Sequence, residues 1–204
     1  MFDFRYKMWY NKMIKGKVFR FERKGGGFVV ILGIDPGIAT VGFGVISGNG
    51  IRSSFINCGI ISTPAGERTE KRLWDIFQNM TELIEIYKPD SIAIEELFFN
   101  SNQKTAVNVC QARGVILACA EKHGIPIFEY TPLQVKVAIC GYGRAEKRQV
   151  QEMTKLQLKL KEIPKPDDAA DALALAICHA TIGASKLGEL KTAMLKASKK
   201  TAGK

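Results

Sequence analysis

The chain alternates between short apolar runs and longer segments with helical periodicity. Residues 29–34 and 41–46 are strongly apolar, and a turn through Pro36-Gly37 joins them, so both read as strands. Residues 53–62, "SSFINCGIIS", read as a third strand. Consecutive strands with short links suggest antiparallel pairing. Leu73, Ile76, Phe77, Met80, Leu83, Ile84 and Tyr87 then recur at spacings of three and four, which is one helical stripe, and Pro89 lies just past its end. "SIAIEE" (91–96) reads as a buried strand, 102–122 as a helix closed by Gly124, and "IPIFEY" (125–130) as a fifth strand. Helices are expected at 132–140, 145–160 and 167–182. This order predicts an α/β fold: a mixed five-stranded sheet, with three antiparallel strands and then parallel ones, flanked by helices.

Length and composition narrow the picture. A chain of 204 residues with 46% hydrophobic content fits one domain plus tails rather than a disordered polymer. The apolar runs are far shorter than the ~20 residues needed to span a bilayer, and the basic N-terminus lacks a continuous apolar core, so a cytoplasmic protein with no membrane partner is expected. The five cysteines are scattered and never form CxxC, which reads as reduced core thiols. The two histidines, His123 and His179, are far apart in sequence, so any metal would be held by oxygen.

The net charge of +10 is unevenly placed. Residues 1–28 carry eight Lys/Arg and two acids, and residues 183–204 carry six Lys and one Glu. Removing these leaves the segment 29–182 at −1. Within it, 136–165 has eight Lys/Arg against three acids. A basic flank beside an acidic remainder points to a nucleic-acid backbone more specifically than overall charge does. "RKGGGF" (23–28) separates the leader from the patterned chain, giving three expected parts: a basic extension (1–28), a patterned domain (29–182) and a basic tail (183–204). The extension reads as a disordered DNA-contacting arm or an artefact of a misassigned start, with initiation near Val29 or Val30 the favoured explanation.

Acids interrupt the apolar pattern in three places. Asp35 ends the first strand, Glu95 and Glu96 end the fourth, and Asp167, Asp168 and Asp171 open the Ala-rich helix "PDDAADALALAI". Each has a plain explanation when taken alone. Asp35 suits a turn before Pro36-Gly37, and Asp167 suits a helix N-cap with Asp168 favoured by the helix dipole. Of the Glu pair, one must face solvent, because strand side chains alternate. Together, carboxylates from three buried elements would repel unless cations neutralised them. Hard oxygen donors without His or Cys suit Mg²⁺ or Mn²⁺. Two such ions about 4 Å apart hydrolyse phosphodiesters, one activating water and the other stabilising the leaving oxygen.

The blocks "GIDPG", "AIEELFF", "QARG", "EYTPLQVK", "GYGRAEKRQVQ" and "DDAADALALAI" resemble, in this order and spacing, the RuvC family of Holliday junction resolvases. The resemblance covers about residues 30–182. It implies a ribonuclease-H-like fold, a homodimer, and paired symmetric nicking of four-way DNA junctions in recombination and repair. It also implies two Mg²⁺ per active site, with Mn²⁺ as a substitute, and collaboration with the RuvA–RuvB branch-migration complex. Residue by residue, it implies catalytic, metal-holding roles for Asp35, Glu95, Asp168 and Asp171, leaving Glu96 and Asp167 as extra acids. Phe98 resembles the aromatic that stacks on a junction base, and Lys136 and Lys147 resemble phosphate-facing lysines. Lys155, Lys159 and Lys161 are expected to contribute only general electrostatics. On the 102–122 helix, small and apolar residues suit burial, or the dimer contact that the resemblance implies.

The rival readings differ in what they require. Another ribonuclease-H-fold nuclease would keep the acids but need not share "QARG" and "GYGRAEK". An actin-like kinase would be longer and carry a second Gly-rich phosphate loop, which is not found. "GFGVISGNG" does not fit G-x-G-x-x-G. A non-catalytic junction-binding module would have no need of all four acids.

Overall fold

The computed structural model describes residues 28–97 and 103–183. The leader up to residue 27, Phe98 and the tail from residue 184 lie outside the described residues, as do the expectations attached to them. Three strands come first: β1 (Val29–Asp35), β2 (Thr40–Gly48) and β3 (Ser53–Ser62). Helix α1 (Thr69–Tyr87), strand β4 (Ser91–Glu95), helix α2 (Gln103–Lys122) and strand β5 (Ile127–Tyr130) follow. Three further helices complete the fold: α3 (Pro132–Cys140), α4 (Lys147–Gln157) and α5 (Asp167–Ile182). The sheet order is β3-β2-β1-β4-β5. β1 pairs antiparallel with β2 and β2 with β3, whereas β1–β4 and β4–β5 are parallel. This is the mixed sheet that the strand order predicted.

Strand alternation sorts the core into two layers. Val30, Leu32 and Ile34 of β1 pack with Ile76, Met80 and Leu83 of α1 and Ile116 of α2. Val29 and Ile31 point the other way and pack with Leu173, Ala174 and Ile177 of α5. Asp35 has the same parity as Val29 and Ile31, so it emerges on the α5 face. On β4, Ala93 belongs to the α5 layer and Ile92 and Ile94 to the opposite one, which puts Glu95 on the α5 face as well.

α5 is buried nearly all round, and it approaches the sheet more closely than side chains would allow. A Cβ added at Gly33 would meet Ala172 O at 1.9 Å, and one at Gly42 would meet Asp168 O at 2.1 Å. At Gly44 it would meet Leu173 N at 2.7 Å. Gly33 pairs with Gly44, and Asp35 with Gly42, so the three glycines clear one continuous bed for the helix. The helix boundary differs from expectation in one detail: Pro166 is the N-cap and Asp167 is the first helical residue, because proline's fixed φ suits the extended cap conformation. The expected helix over 145–160 is shorter, α4, with Glu146 preceding it and donating its backbone N–H to Gln149 Oε1 at 2.8 Å.

The far end of α5 carries a buried polar contact. His179 lies between Ser91 Oγ, 3.0 Å from Nε2, and Tyr130 Oη, 2.6 Å from Nδ1. A neutral imidazole satisfies both, one nitrogen donating and the other accepting. The ring is fully buried and tilted against Phe128 at 4.4 Å, so burial lowers its pKa to about 4.

Gly33→Ala should lower stability by about 3 kcal/mol or more, since only backbone atoms of α5 could yield. Urea unfolding followed by circular dichroism measures this, and a change under ~1 kcal/mol would contradict the close-packing account.

Candidate active site

The ends of β1 and β4 and the start of α5 meet at one edge of the sheet. β1 and β4 run parallel with Ile34 opposite Ile94, so Asp35 and Glu95 each lie one residue further along adjacent strands. Gly42, which faces Asp35 across the β1–β2 ladder, lets the backbone of Asp168 settle on the sheet. Asp171 follows three residues later, on the same side of α5. Asp35, Glu95, Asp168 and Asp171 are all half-buried, whereas Glu96 is exposed. Strand alternation therefore distinguishes the two adjacent glutamates.

The carboxylates perturb one another. Burial raises the Asp35 carboxyl to about 7, helped by the negative charges of Glu95, Asp171 and Asp168. Glu95 is raised, first by burial and then by Asp171. Asp171 is raised mainly by burial, against the opposing pull of Lys147. Lys147, the first residue of α4, is the cation that reaches this group. Its Nζ is 3.0 Å from Asp171 Oδ2 and 3.4 Å from Asp167 Oδ2. Its own pKa is raised, chiefly by the hydrogen bond to Asp171. Lys136 is half-buried on α3 and makes no ion pair among the described residues.

This donor set fits a hard divalent cation. It offers carboxylate oxygen only, and positive charge is what buried, mutually repelling carboxylates need. The acids are not a closed cage: among the described residues, no three His, Cys, Asp or Glu side chains are grouped to hold a cation as they stand. As the side chains stand, the Lys147 ammonium occupies one face of Asp171, 3.0 Å from Oδ2.

Sequence reasoning overlooked two parts of this arrangement. It treated Asp167 as a cap, although its side chain pairs with Lys147. The close approach of α5 that the glycines of β1 and β2 allow was not anticipated at all. The alternation of Gly42 and Gly44 was the available signal, because small residues two apart clear one face of a strand.

The sheet order, with acids at the ends of the two central parallel strands and on the closing helix, defines a nuclease of the ribonuclease-H-like class. A family model described as "Crossover junction endodeoxyribonuclease RuvC" matches residues 31–179. The protein of that name from Brevibacillus brevis is 58% identical over 150 residues, covering 74% of this chain and 90% of the relative. That from Rubrobacter xylanophilus is 58% identical over 151 residues, covering 74% and 84%. Thermus thermophilus RuvC, solved in complex with a Holliday junction substrate, superposes with a TM-score of 0.75 at 35% identity, covering 78% of this chain and 97% of that one. The yeast mitochondrial Holliday junction resolvase Ydc2 shares the fold alone, with a TM-score of 0.58 at 16% identity. The chain belongs to the RuvC family of crossover junction endodeoxyribonucleases.

The raised Asp35 carboxyl and the lowered His179 act oppositely on stability. Asp35 contributes stability that is full below its ordinary pKa of 3.8 and lost as pH rises towards about 7. His179 contributes stability that is full above 6.5 and lost as pH falls towards about 4. In EDTA, Asp35→Asn should therefore be more stable than wild type by about 1–3 kcal/mol near pH 8, with the gap closing towards pH 4. Within Asp35→Asn, the His179 contribution of about 3 kcal/mol should be lost between pH 6.5 and pH 4, offset in part by the raised Glu95 and Asp171 carboxyls that remain. Urea unfolding across pH measures both trends, and a gap that does not close on acidification would refute the Asp35 assignment.

Proposed function

We propose that this chain resolves four-way DNA junctions by paired symmetric nicks, and that Asp35, Glu95, Asp168 and Asp171 are the carboxylates that hold the cations. The observation that carries this reading is the convergence of these acids on one sheet edge, with the Asp35 carboxyl raised to about 7. When bound, two divalent cations, Mg²⁺ with Mn²⁺ as a substitute, would supply activation of the attacking water and stabilisation of the leaving 3′ oxygen. The chain's own contribution is positional. The two strand ends fix Asp35 and Glu95, while α5 sets Asp168 and Asp171 against them. Lys147, at the rim of the acids, neutralises phosphate charge as the strand arrives. Lys136 adds positive charge on the neighbouring helix, within the basic 136–165 segment.

The homodimer forms part of the same reading. Val107, Gln111, Gly114 and Ala118 are exposed along one side of α2, at spacings of four, three and four. A Cβ at Gly114 would meet nothing within 4 Å, so with Ala118 it leaves a shallow place in this stripe where another helix could approach. Two sites related by a twofold axis match a junction that must be nicked in two strands of like polarity. Family membership supports collaboration with a RuvA–RuvB branch-migration complex. The chain's bacterial relatives support action on DNA in the cytoplasm. Among the described residues no helix is long and apolar enough to cross a membrane.

Cleavage of a synthetic mobile four-way junction, with linear duplex as control, tests the function. Wild type with Mg²⁺ should nick the junction in pairs. EDTA should abolish nicking, and Asp35→Asn should lower it by about a thousandfold or more while junction binding persists. Equal cleavage of linear duplex would point to another nuclease of this fold. Binding without cleavage in either metal would make the chain a junction-binding module. Gly114→Arg should shift the protein to a monomer in sedimentation analysis and uncouple the two nicks; an unchanged dimer would exclude α2 as the interface.

A further inference from the structure

Lys147 stands between two carboxylates of different kinds. Asp171 is one of the four acids assigned to the cations, and the role inferred for its neighbour Asp167 rests on that assignment. Asp167 is the extra acid for which the family motif has no need. The two lie four residues apart on α5, so their side chains rise from adjacent turns on one side of the helix. Lys147 Nζ meets both, at 3.0 Å from Asp171 and 3.4 Å from Asp167.

An ammonium and a divalent cation on Asp171 compete for the same negative charge. Without a second acceptor, Lys147 would have to choose between staying on Asp171 and moving free into solvent. Asp167 provides that acceptor. Its side chain is 64% exposed at the first position of the helix, outside the half-buried acids, so holding Lys147 there carries little desolvation penalty. We propose that Asp167 is a positioning residue that draws Lys147 away from Asp171 when that carboxylate takes up a cation, and keeps the ammonium at the rim where the phosphate arrives. The simpler role of Asp167, a favourable charge at a helix N-terminus, would affect helix stability whether or not Lys147 were present.

A double-mutant cycle on cation binding without DNA separates these roles. Mn²⁺ affinity, read from the electron paramagnetic resonance signal of free ion, would be measured on the full chain for wild type, Asp167→Asn, Asp167→Glu, Lys147→Met and the double variant Lys147→Met with Asp167→Asn. Asp167→Asn should weaken binding by about three- to tenfold, and Asp167→Glu should restore it. Lys147→Met should bind more tightly than wild type, and adding Asp167→Asn to it should change little. An equal loss in both backgrounds would make Asp167 a direct ligand or a bulk-charge effect, and no loss in either would make it a helix-end charge; each overturns the proposal. Asp35→Asn is the control for the underlying assignment: if it binds Mn²⁺ as wild type does, the cation site itself is misplaced, which is distinguishable from failure at Asp167 alone.

Discussion

The close seating of α5 on β1 and β2 is the constraint on which the site depends. A helix normally stands off a sheet by the depth of its side chains. Here Gly33, Gly42 and Gly44 remove that depth on one side, and alanines reduce it on the other. The backbone of Asp168 thereby comes down beside Gly42, directly across the ladder from Asp35. The geometry that packs the core also brings acids from distant parts of the chain to one edge.

That packing creates an electrostatic conflict. Burial and mutual repulsion disfavour ionised Asp35, Glu95 and Asp171, so the metal-free fold carries a destabilising cluster at this edge. Lys147 relieves it in part, from a helix that follows β5 rather than from the acid-bearing elements. In the proposed reading, the remaining deficit of positive charge is what a bound cation would fill. If these acids carry the proposed function, stability and function are opposed at the same residues, as is usual where a site needs unpaired charge.

The opposite end of α5 is settled differently. His179 is buried and neutral, with both ring nitrogens engaged by Ser91 and Tyr130, and it ties the helix to β4 and β5. One helix therefore has an end fixed by satisfied hydrogen bonds and an end that carries half-buried carboxylates.

The sequence by itself determined the elements and the parity of the acids. Apolar periodicity located five strands and the helices, because burial of one face is written locally in the spacing of residues. Strand alternation also required that Glu95 and Glu96 face opposite ways, and the motifs carried the family. Which glutamate faces α5 was decided only when β4 paired with β1, since parity has no absolute direction until a neighbour fixes it. The partnership of Lys147 with Asp167 and Asp171 was likewise a tertiary outcome. These residues are some twenty positions apart, on helices whose mutual placement comes from packing, and charge pairing across such a gap leaves no periodic trace in the chain.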